Sequence, residues 1–337
     1  MDNHQTTPRR RRQAHFVSVT LIFFTAGVAT LLHHAFPSAT TYPVESSNAE
    51  IDTATTIQSH RSLSISLPNG GCEITKAIPT EHPISPIWQA SFPGCGSRMT
   101  WHLVQALTGI KTNNDRNSNG WGYTNVVAAK THYPFIRDTM FEELDPKYFH
   151  RAMLILRNPV HAIPSYFNAQ YEELNHLSTH TVRAPNEEWV KYRDADFASR
   201  LLKYEQHAIY WMEKYYYSSS DHGRNNLLFL SYEALTDGTF GPNVAGQIAD
   251  FLRQGEGVNV IEPESVPCIW QTVVNYKGAA SSTMRMEGPT ERPYTQQNLA
   301  DSLAMFYRLI GRFHYDEKFV RIMTNYVKTV SNIIPQG

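Results

Sequence analysis

Arg157 and Ser165, eight residues apart, are the pair of side chains in this sequence best suited to grip one phosphate group. A guanidinium offers a rigid fork of donors, and a hydroxyl beside it completes the shell of a tetrahedral anion. The residues around the pair dictate where it sits. Apolar Met153–Leu156 stops at Arg157, turns on Asn158-Pro159, and runs on as a helix-like segment carrying Ser165. That order predicts a buried strand, a turn and a helix. Arg157 then lies at a strand's carboxyl end, where open α/β sheets bind ligands, and Ser165 lies about two helical turns in, facing the same crevice.

Upstream lies a second segment of the same kind. Ile87–Phe92 reads as a strand, Pro93-Gly94-Cys95-Gly96-Ser97-Arg98-Met99 as a glycine-containing loop, and Thr100–Leu107 as a helix with Trp101, Val104 and Leu107 on its apolar side. Strand, glycine loop and helix present backbone N–H groups and a positive helix end to an anion. The loop is not a Walker A loop, since no Gly-Lys-Ser/Thr follows. Between the two segments, Asn125–Ala129 predicts a short strand ending at Lys130-Thr131-His132-Tyr133-Pro134. Lys130 and His132 share a side of an extended chain, which makes His132 a candidate general base and Lys130 a charge stabiliser.

The order SFPGCGSRMTW, KTHYP, LILRNPVHAIPSYF and LSYEAL resembles the sulfotransferases that use 3′-phosphoadenosine 5′-phosphosulfate (PAPS), over roughly Pro86 to Leu252. The resemblance implies a P-loop-like three-layer α/β fold around a central, mainly parallel sheet. It implies that Gly94, Cys95, Gly96, Ser97, Arg98, Met99, Thr100 and Trp101 form the 5′-phosphosulfate loop, and that Arg157 and Ser165 bind the 3′-phosphate. His132 becomes the base, with Lys130 or Arg98 as the cation at the transferred group. The chain departs from the family in three ways. Its first loop has two extra residues before Trp101 and carries Gly94 in place of the usual Lys, a charge that Arg98 or Lys130 would replace. The late Arg-Lys-Gly motif survives only as Tyr276-Lys277-Gly278, which makes Lys277 and Gly278 weaker cofactor candidates. Membrane-bound members often use a Glu as base.

Sulfuryl transfer is in-line, so catalysis is largely positioning and charge stabilisation. A histidine with a reference pKa near 6.5 is appreciably neutral at neutral pH, as a base must be. The scheme requires no metal, and the fifteen His form no dense cluster with Cys or Asp at ligand spacing. The competing readings are a P-loop kinase-like ATP-dependent transferase and a non-catalytic nucleotide- or glycan-binding membrane protein.

The elements that must position these residues alternate as a parallel sheet with crossover helices requires. Asp194–Tyr217 predicts the longest helix, with Phe197, Leu201, Tyr204, Ala208, Trp211 and Tyr215 along one stripe. Asn226–Ser231 predicts a buried strand, Asn243–Arg253 a helix, and Gln296–Arg312 with Glu317–Ile333 a closing helical pair, while Glu262–Pro293 reads as a loop over the site. Residues 84–337 form this catalytic domain. Ahead of it, Arg9–Arg12 make a basic block in a tail spanning 1–13, and uncharged Phe16–Leu32 marks a transmembrane anchor within 14–36. Basic residues on the amino side predict a cytosolic tail and a lumenal domain, hence a single-pass type II protein of the Golgi membrane. A cleaved signal peptide and a nuclear signal fit less well, because the apolar run is long and directly abuts the basic block. Residues 37–83, crowded with Ser and Thr, read as a stalk.

Thirty Lys and Arg against thirty-one Asp and Glu leave a net charge of −1, which argues against a nucleic-acid binder and confines any anion site to a local crevice. A lumenal, anchored transferase meets glycans most often, so a carbohydrate or glycoprotein hydroxyl or amine is the expected acceptor. Cys72, Cys95 and Cys268 are too few for a disulfide scaffold, though Cys72 and Cys268 could pair in an oxidising lumen. The oligomeric state is not legible.

Overall fold

Every residue of Ile87–Ser91 is buried, the pattern of a strand covered on both faces. This strand, β1, is the centre of the sheet in a computed structural model of the chain, which describes Cys72 and residues 74–116, 122–136, 139–178, 181–216, 226–275 and 291–333. The expected tail, anchor and most of the stalk lie outside the described residues, as do Lys277 and Gly278. Among the described residues no helix is long and apolar enough to cross a membrane.

Five parallel strands stand in the order β2-β3-β1-β4-β5, with β2 (Thr112–Asn114), β3 (Ala128–Thr131), β4 (Arg151–Leu156) and β5 (Leu227–Ser231). From β1 the chain passes through α1 (Ser97–Thr108) to the β2 edge and returns along β3. It continues through α2 (Thr139–Tyr148) to β4 on the other side of β1, then through α3 (Pro159–Leu174) and α4 (Asn186–Tyr216) to β5. The direction of crossover therefore reverses between β1 and β4, the switch point beside whose carboxyl ends open α/β sheets bind ligands. α5 (Tyr232–Thr236), α6 (Gly241–Arg253), α7 (Val266–Val273), α8 (Gln296–Arg312) and α9 (Glu317–Ile333) complete the chain. α1 packs with α6 and α7, and α4 with α3 and α8, an α/β arrangement compatible with three layers.

The expected stripe of α4 is buried in full, from Phe197 through Leu201, Tyr204, Ala208 and Trp211 to Tyr215. At the amino end of the sheet, buried Asp145 accepts from Trp88 Nε1 at 2.5 Å and from the Tyr215 hydroxyl at 2.5 Å, and pairs with Lys214. At the carboxyl end, Glu233 gathers the Asn158 N–H at 2.8 Å, Ser231 Oγ at 2.7 Å and the Tyr326 hydroxyl at 3.0 Å. That carboxylate ties α9 to the ends of β4 and β5.

Several boundaries differ from the sequence reading. α1 begins at Ser97 rather than Thr100, because Gly96 at φ 84° is a left-handed cap that lets the next residue turn helical. α4 begins at Asn186 rather than Asp194. Its first turns carry Glu187 and Glu188, favourable near a helix N-terminus, but bury only Trp189, so the apolar stripe does not announce them. The stretch expected as a loop over 262–293 contains a 3₁₀ turn at Pro263–Ser265 and α7, whose Trp270 donates to the Leu235 carbonyl at 2.7 Å. The stalk is also shorter than 37–83. Cys72 is disulfide-bonded to Cys268, and the Ile78 N–H bonds the Gly109 carbonyl at 3.0 Å, so Cys72 and the described residues after it belong to the folded unit.

Candidate functional site

The loop after β1 is shaped by two glycines. Gly94 and Gly96 adopt φ of 85° and 84°, and a Cβ at Gly94 would lie 2.1 Å from the Ala162 carbonyl oxygen of α3. A Cβ at Gly96 would lie 2.6 Å from the Tyr232 ring. The backbone thus lies flat between α3 and Tyr232. Gln89 Nε2 holds the start of α1 by donating to the Ser97 carbonyl at 2.7 Å. No side chain caps α1, and the Thr100 N–H donates to the Gly96 carbonyl at 3.1 Å. The N–H groups of Ser97, Arg98 and Met99 are left at the positive end of the helix, the arrangement that binds anions.

The side chains of two of the expected loop residues are buried. Cys95 is fully buried, its N–H donates to the Phe92 carbonyl at 3.1 Å, and burial pushes its thiol pKa up to about 12. Thr100 is buried too, and its hydroxyl donates to the Gly96 carbonyl at 3.2 Å. Ser97, Met99 and Trp101 are partly buried, and Arg98 is exposed. Trp101 carries the Lys130 ammonium at 5.3 Å from its ring centre.

Arg157 reaches this loop directly. Its Nη1 donates to the Gly94 carbonyl at 2.6 Å, and its guanidinium stacks 4.3 Å from the centre of the Tyr232 ring. Ser165 stands partly buried on α3, where the described residues offer its hydroxyl no hydrogen bond. Just before it, Pro164 cannot donate to the Val160 carbonyl one turn back. The Tyr294 hydroxyl, from the segment leading into α8, donates to that carbonyl instead.

On the other side of β1, His132 Nδ1 lies 2.7 Å from the Ser91 carbonyl oxygen. A carbonyl only accepts, so Nδ1 carries the proton and Nε2 keeps its lone pair. Burial drives the His132 pKa down to about 4, the bond to Ser91 offsets part of this, and the Lys130 charge adds to it. The imidazole is thus wholly neutral at neutral pH, whereas the unperturbed value implied only a fraction. Lys130 is itself lowered, chiefly by burial; Asp115 works against the shift, while Arg98 and Arg116 reinforce it. Arg98, Lys130 and Arg116 therefore converge on one end of β3.

Sequence reasoning missed several contributors. His207 of α4 is buried, its Nε2 has no hydrogen bond, and burial together with His132 lowers its pKa to about 3. Its place between Tyr204, Ala208 and Trp211 on the buried stripe was the available signal. Gln89 and Tyr294 act through contacts from distant elements and carried no local signal, whereas Tyr232 lies in the LSYEAL segment, which was its available signal. Among the described residues, no group of three or more His, Cys, Asp and Glu is placed to hold a metal ion.

No protein-family model matches the chain, and no curated protein matches it.

Proposed function

We propose that the chain is a PAPS-dependent sulfotransferase with a P-loop-like fold that moves a sulfonate group to a hydroxyl or amine of a carbohydrate. What supports this reading is the Arg157 fork on the Gly94 carbonyl of the loop that leads into the uncapped α1 N-terminus, with His132 held in its neutral tautomer by the Ser91 carbonyl at the end of β1. Two anion sites beside one base are what a donor with phosphates at both ends of its ribose requires.

PAPS supplies an activated sulfonate, whose S–O bond to the 5′-phosphate breaks as one to the acceptor oxygen forms, leaving 3′,5′-ADP. The chain's own residues do the rest. His132 Nε2 takes the acceptor's proton while Nδ1 stays on the Ser91 carbonyl. Arg98, Lys130 and the first N–H groups of α1 hold negative charge at the crevice floor. Arg157 uses one N–H on Gly94 and has others for a phosphate, with the Ser165 hydroxyl nearby in sequence on α3. The Cys72–Cys268 bond favours an oxidising compartment, which agrees with a lumenal, Golgi-anchored enzyme.

Calorimetric titration of the full chain with 3′,5′-ADP and with ATP tests the reading. Tight binding of 3′,5′-ADP, weakened by about 2–3 kcal/mol in Arg157→Ala, is expected. Binding of ATP alone points to a kinase-like transferase, and binding of neither overturns the nucleotide reading altogether.

A further inference from the structure

β3 stops one residue short of the candidate base, and α4 helps to hold the chain beyond it. The ladder between β1 and β3 ends at Ala90 and Thr131. His132 comes next, so the aim of its imidazole depends on how the peptides around it are pinned. The Tyr133 N–H folds back onto Thr131 Oγ1 at 3.0 Å, and the Ile136 N–H onto the His132 carbonyl at 3.2 Å. Both bonds are local to the segment. A tie from elsewhere in the fold comes from Trp211, whose Nε1–H donates to the Tyr133 carbonyl at 2.8 Å across 78 residues of chain.

Trp211 is fully buried and its ring stacks on Tyr215 with centres 5.4 Å apart, so the donor is fixed in place. Earlier on the same helix, His207 meets the Phe92 ring edge-on at 6.2 Å, and Tyr204 meets it at 5.4 Å. Phe92 directly follows Ser91, whose carbonyl accepts from His132 Nδ1 at 2.7 Å. α4 therefore braces both sides of that bond, the β1 side through Phe92 and the β3 side through Tyr133. An imidazole whose Nδ1 is committed as a donor presents Nε2 as an acceptor, so whatever fixes the ring also fixes where a proton can be taken.

We propose that Trp211 is a positioning residue for His132: its bond to the Tyr133 carbonyl holds the imidazole where Nδ1 meets the Ser91 carbonyl and the Nε2 lone pair is kept for a substrate proton. The inference rests on the sulfonate-transfer reading for the source of that proton, the acceptor hydroxyl. The geometry of the base stands apart from it. The charges that face His132 are Lys130 on its own strand and Arg116 beyond β2, with the His207 ring on α4. Trp211→Phe leaves all of them in the chain, so a change in the titration of His132 reports the position of its ring.

The test follows the histidine ring nitrogens of the full chain by NMR after ¹⁵N labelling, with the His132 signals assigned by their loss in His132→Gln. In the wild-type chain a single Nδ1–H tautomer is expected, protonated only near pH 4. In Trp211→Phe a mixture of tautomers is expected, with the midpoint raised by at least one pH unit as the ring leaves its buried place. Affinity for 3′,5′-ADP is expected to hold within twofold, since no residue assigned to the donor is changed. Trp270→Phe is the control: it deletes a buried indole N–H from the Leu235 carbonyl at 2.7 Å, the same chemical loss on another helix, and His132 is expected to titrate there as in the wild-type chain. An unchanged tautomer and midpoint in Trp211→Phe overturns the proposal. So does an equal shift in Trp270→Phe, which makes the effect one of general stability. Should Trp211→Phe fail to fold, Trp211→benzothienylalanine keeps the paired rings, replaces only the N–H, and is read against the same two outcomes. Absence of 3′,5′-ADP binding to the wild-type chain defeats the sulfonate-transfer reading alone, because the histidine signals are read without nucleotide.

Discussion

Removing one hydroxyl, in Tyr294→Phe, should destabilise the fold by about 1–3 kcal/mol, and Pro164→Ala should rescue much of that loss. Val160 is 2% exposed, and Pro164, four residues on, has no N–H to close the helical hydrogen bond to its carbonyl. The Tyr294 hydroxyl fills the gap from a segment 134 residues away in the chain. Burial raises the Tyr294 pKa far above the ordinary phenol value, so the hydroxyl keeps its proton at every pH of interest. Deleting it strands a buried carbonyl, which sets the quoted cost. An alanine in place of Pro164 restores a local N–H, so the same deletion in that background should cost about 1 kcal/mol less or better.

The assay is a double-mutant cycle by urea unfolding, reading midpoints at constant slope. In a domain of this size each kcal/mol is worth about 2–4 °C in Tm, so thermal melting gives a parallel reading. The two backgrounds are compared with each other, which cancels the separate effect of Pro164→Ala on the unfolded chain. Strict additivity, with Tyr294→Phe costing as much in the Pro164→Ala background as in the wild-type chain, refutes the reasoning. It would mean that the hydroxyl does not stand in for the missing amide.

Gly94→Ala should cost at least about 1–2 kcal/mol from its left-handed backbone alone, and more from the 2.1 Å approach to Ala162, with a fall in Tm as the readout. His132 and His207 have folded pKa values of about 4 and 3, below the unfolded value of 6.5, so the unfolded chain binds protons first as pH falls. Stability should therefore be full well above pH 6.5 and decline towards pH 4, by up to about 2.5 kcal/mol for each ring at pH 4.5, and His207→Phe should flatten the decline measured by urea unfolding. Turnover, if His132 is the base, should lose its acid limb near pH 4 rather than near 6.5, as a pH–rate profile of kcat/KM would report. Reduction of Cys72–Cys268, which spans 196 residues, should lower stability by about 2–5 kcal/mol, visible as a dithiothreitol-dependent drop in Tm.

The parts of this fold legible in sequence are those whose signal is local. Ile87–Ser91 and Arg151–Leu156 are buried on nearly every residue and read as strands from their apolar runs, and α9 begins and ends where its periodicity does. β2 was not legible, because Thr112-Asn113-Asn114 has polar side chains that earn burial through contacts such as Gln105 Nε2 on Thr112 Oγ1 at 2.7 Å. The same division holds in the site. Arg157, Lys130 and His132 end strands and announce themselves, whereas Gln89, His207, Tyr232 and Tyr294 matter only through what the tertiary fold brings against them. Neither the His132 tautomer nor its depressed pKa is written in the motif, because the pKa comes from burial and the tautomer from one carbonyl on the neighbouring strand.

The glycine at position 94 follows from the same packing. A lysine in place of Gly94 would need a Cβ where the Ala162 carbonyl stands, on a backbone at φ 85° that side chains rarely adopt. The close approach of α3 to this loop and the absence of a loop lysine are therefore one structural fact. That approach also puts the Gly94 carbonyl within 2.6 Å of Arg157 Nη1. The residues before Trp101 that look like an insertion are the first turn of α1, which starts at Ser97. They belong to the helix rather than the loop, and Arg98 lies in its first turn. Positive charge at the α1 terminus consequently comes from three separate elements, Arg98 on α1, Lys130 on β3 and Arg157 after β4, instead of from the loop itself. On the proposed sulfonate-transfer reading, placement of these three charges around the α1 terminus is the larger part of what in-line transfer asks of the protein.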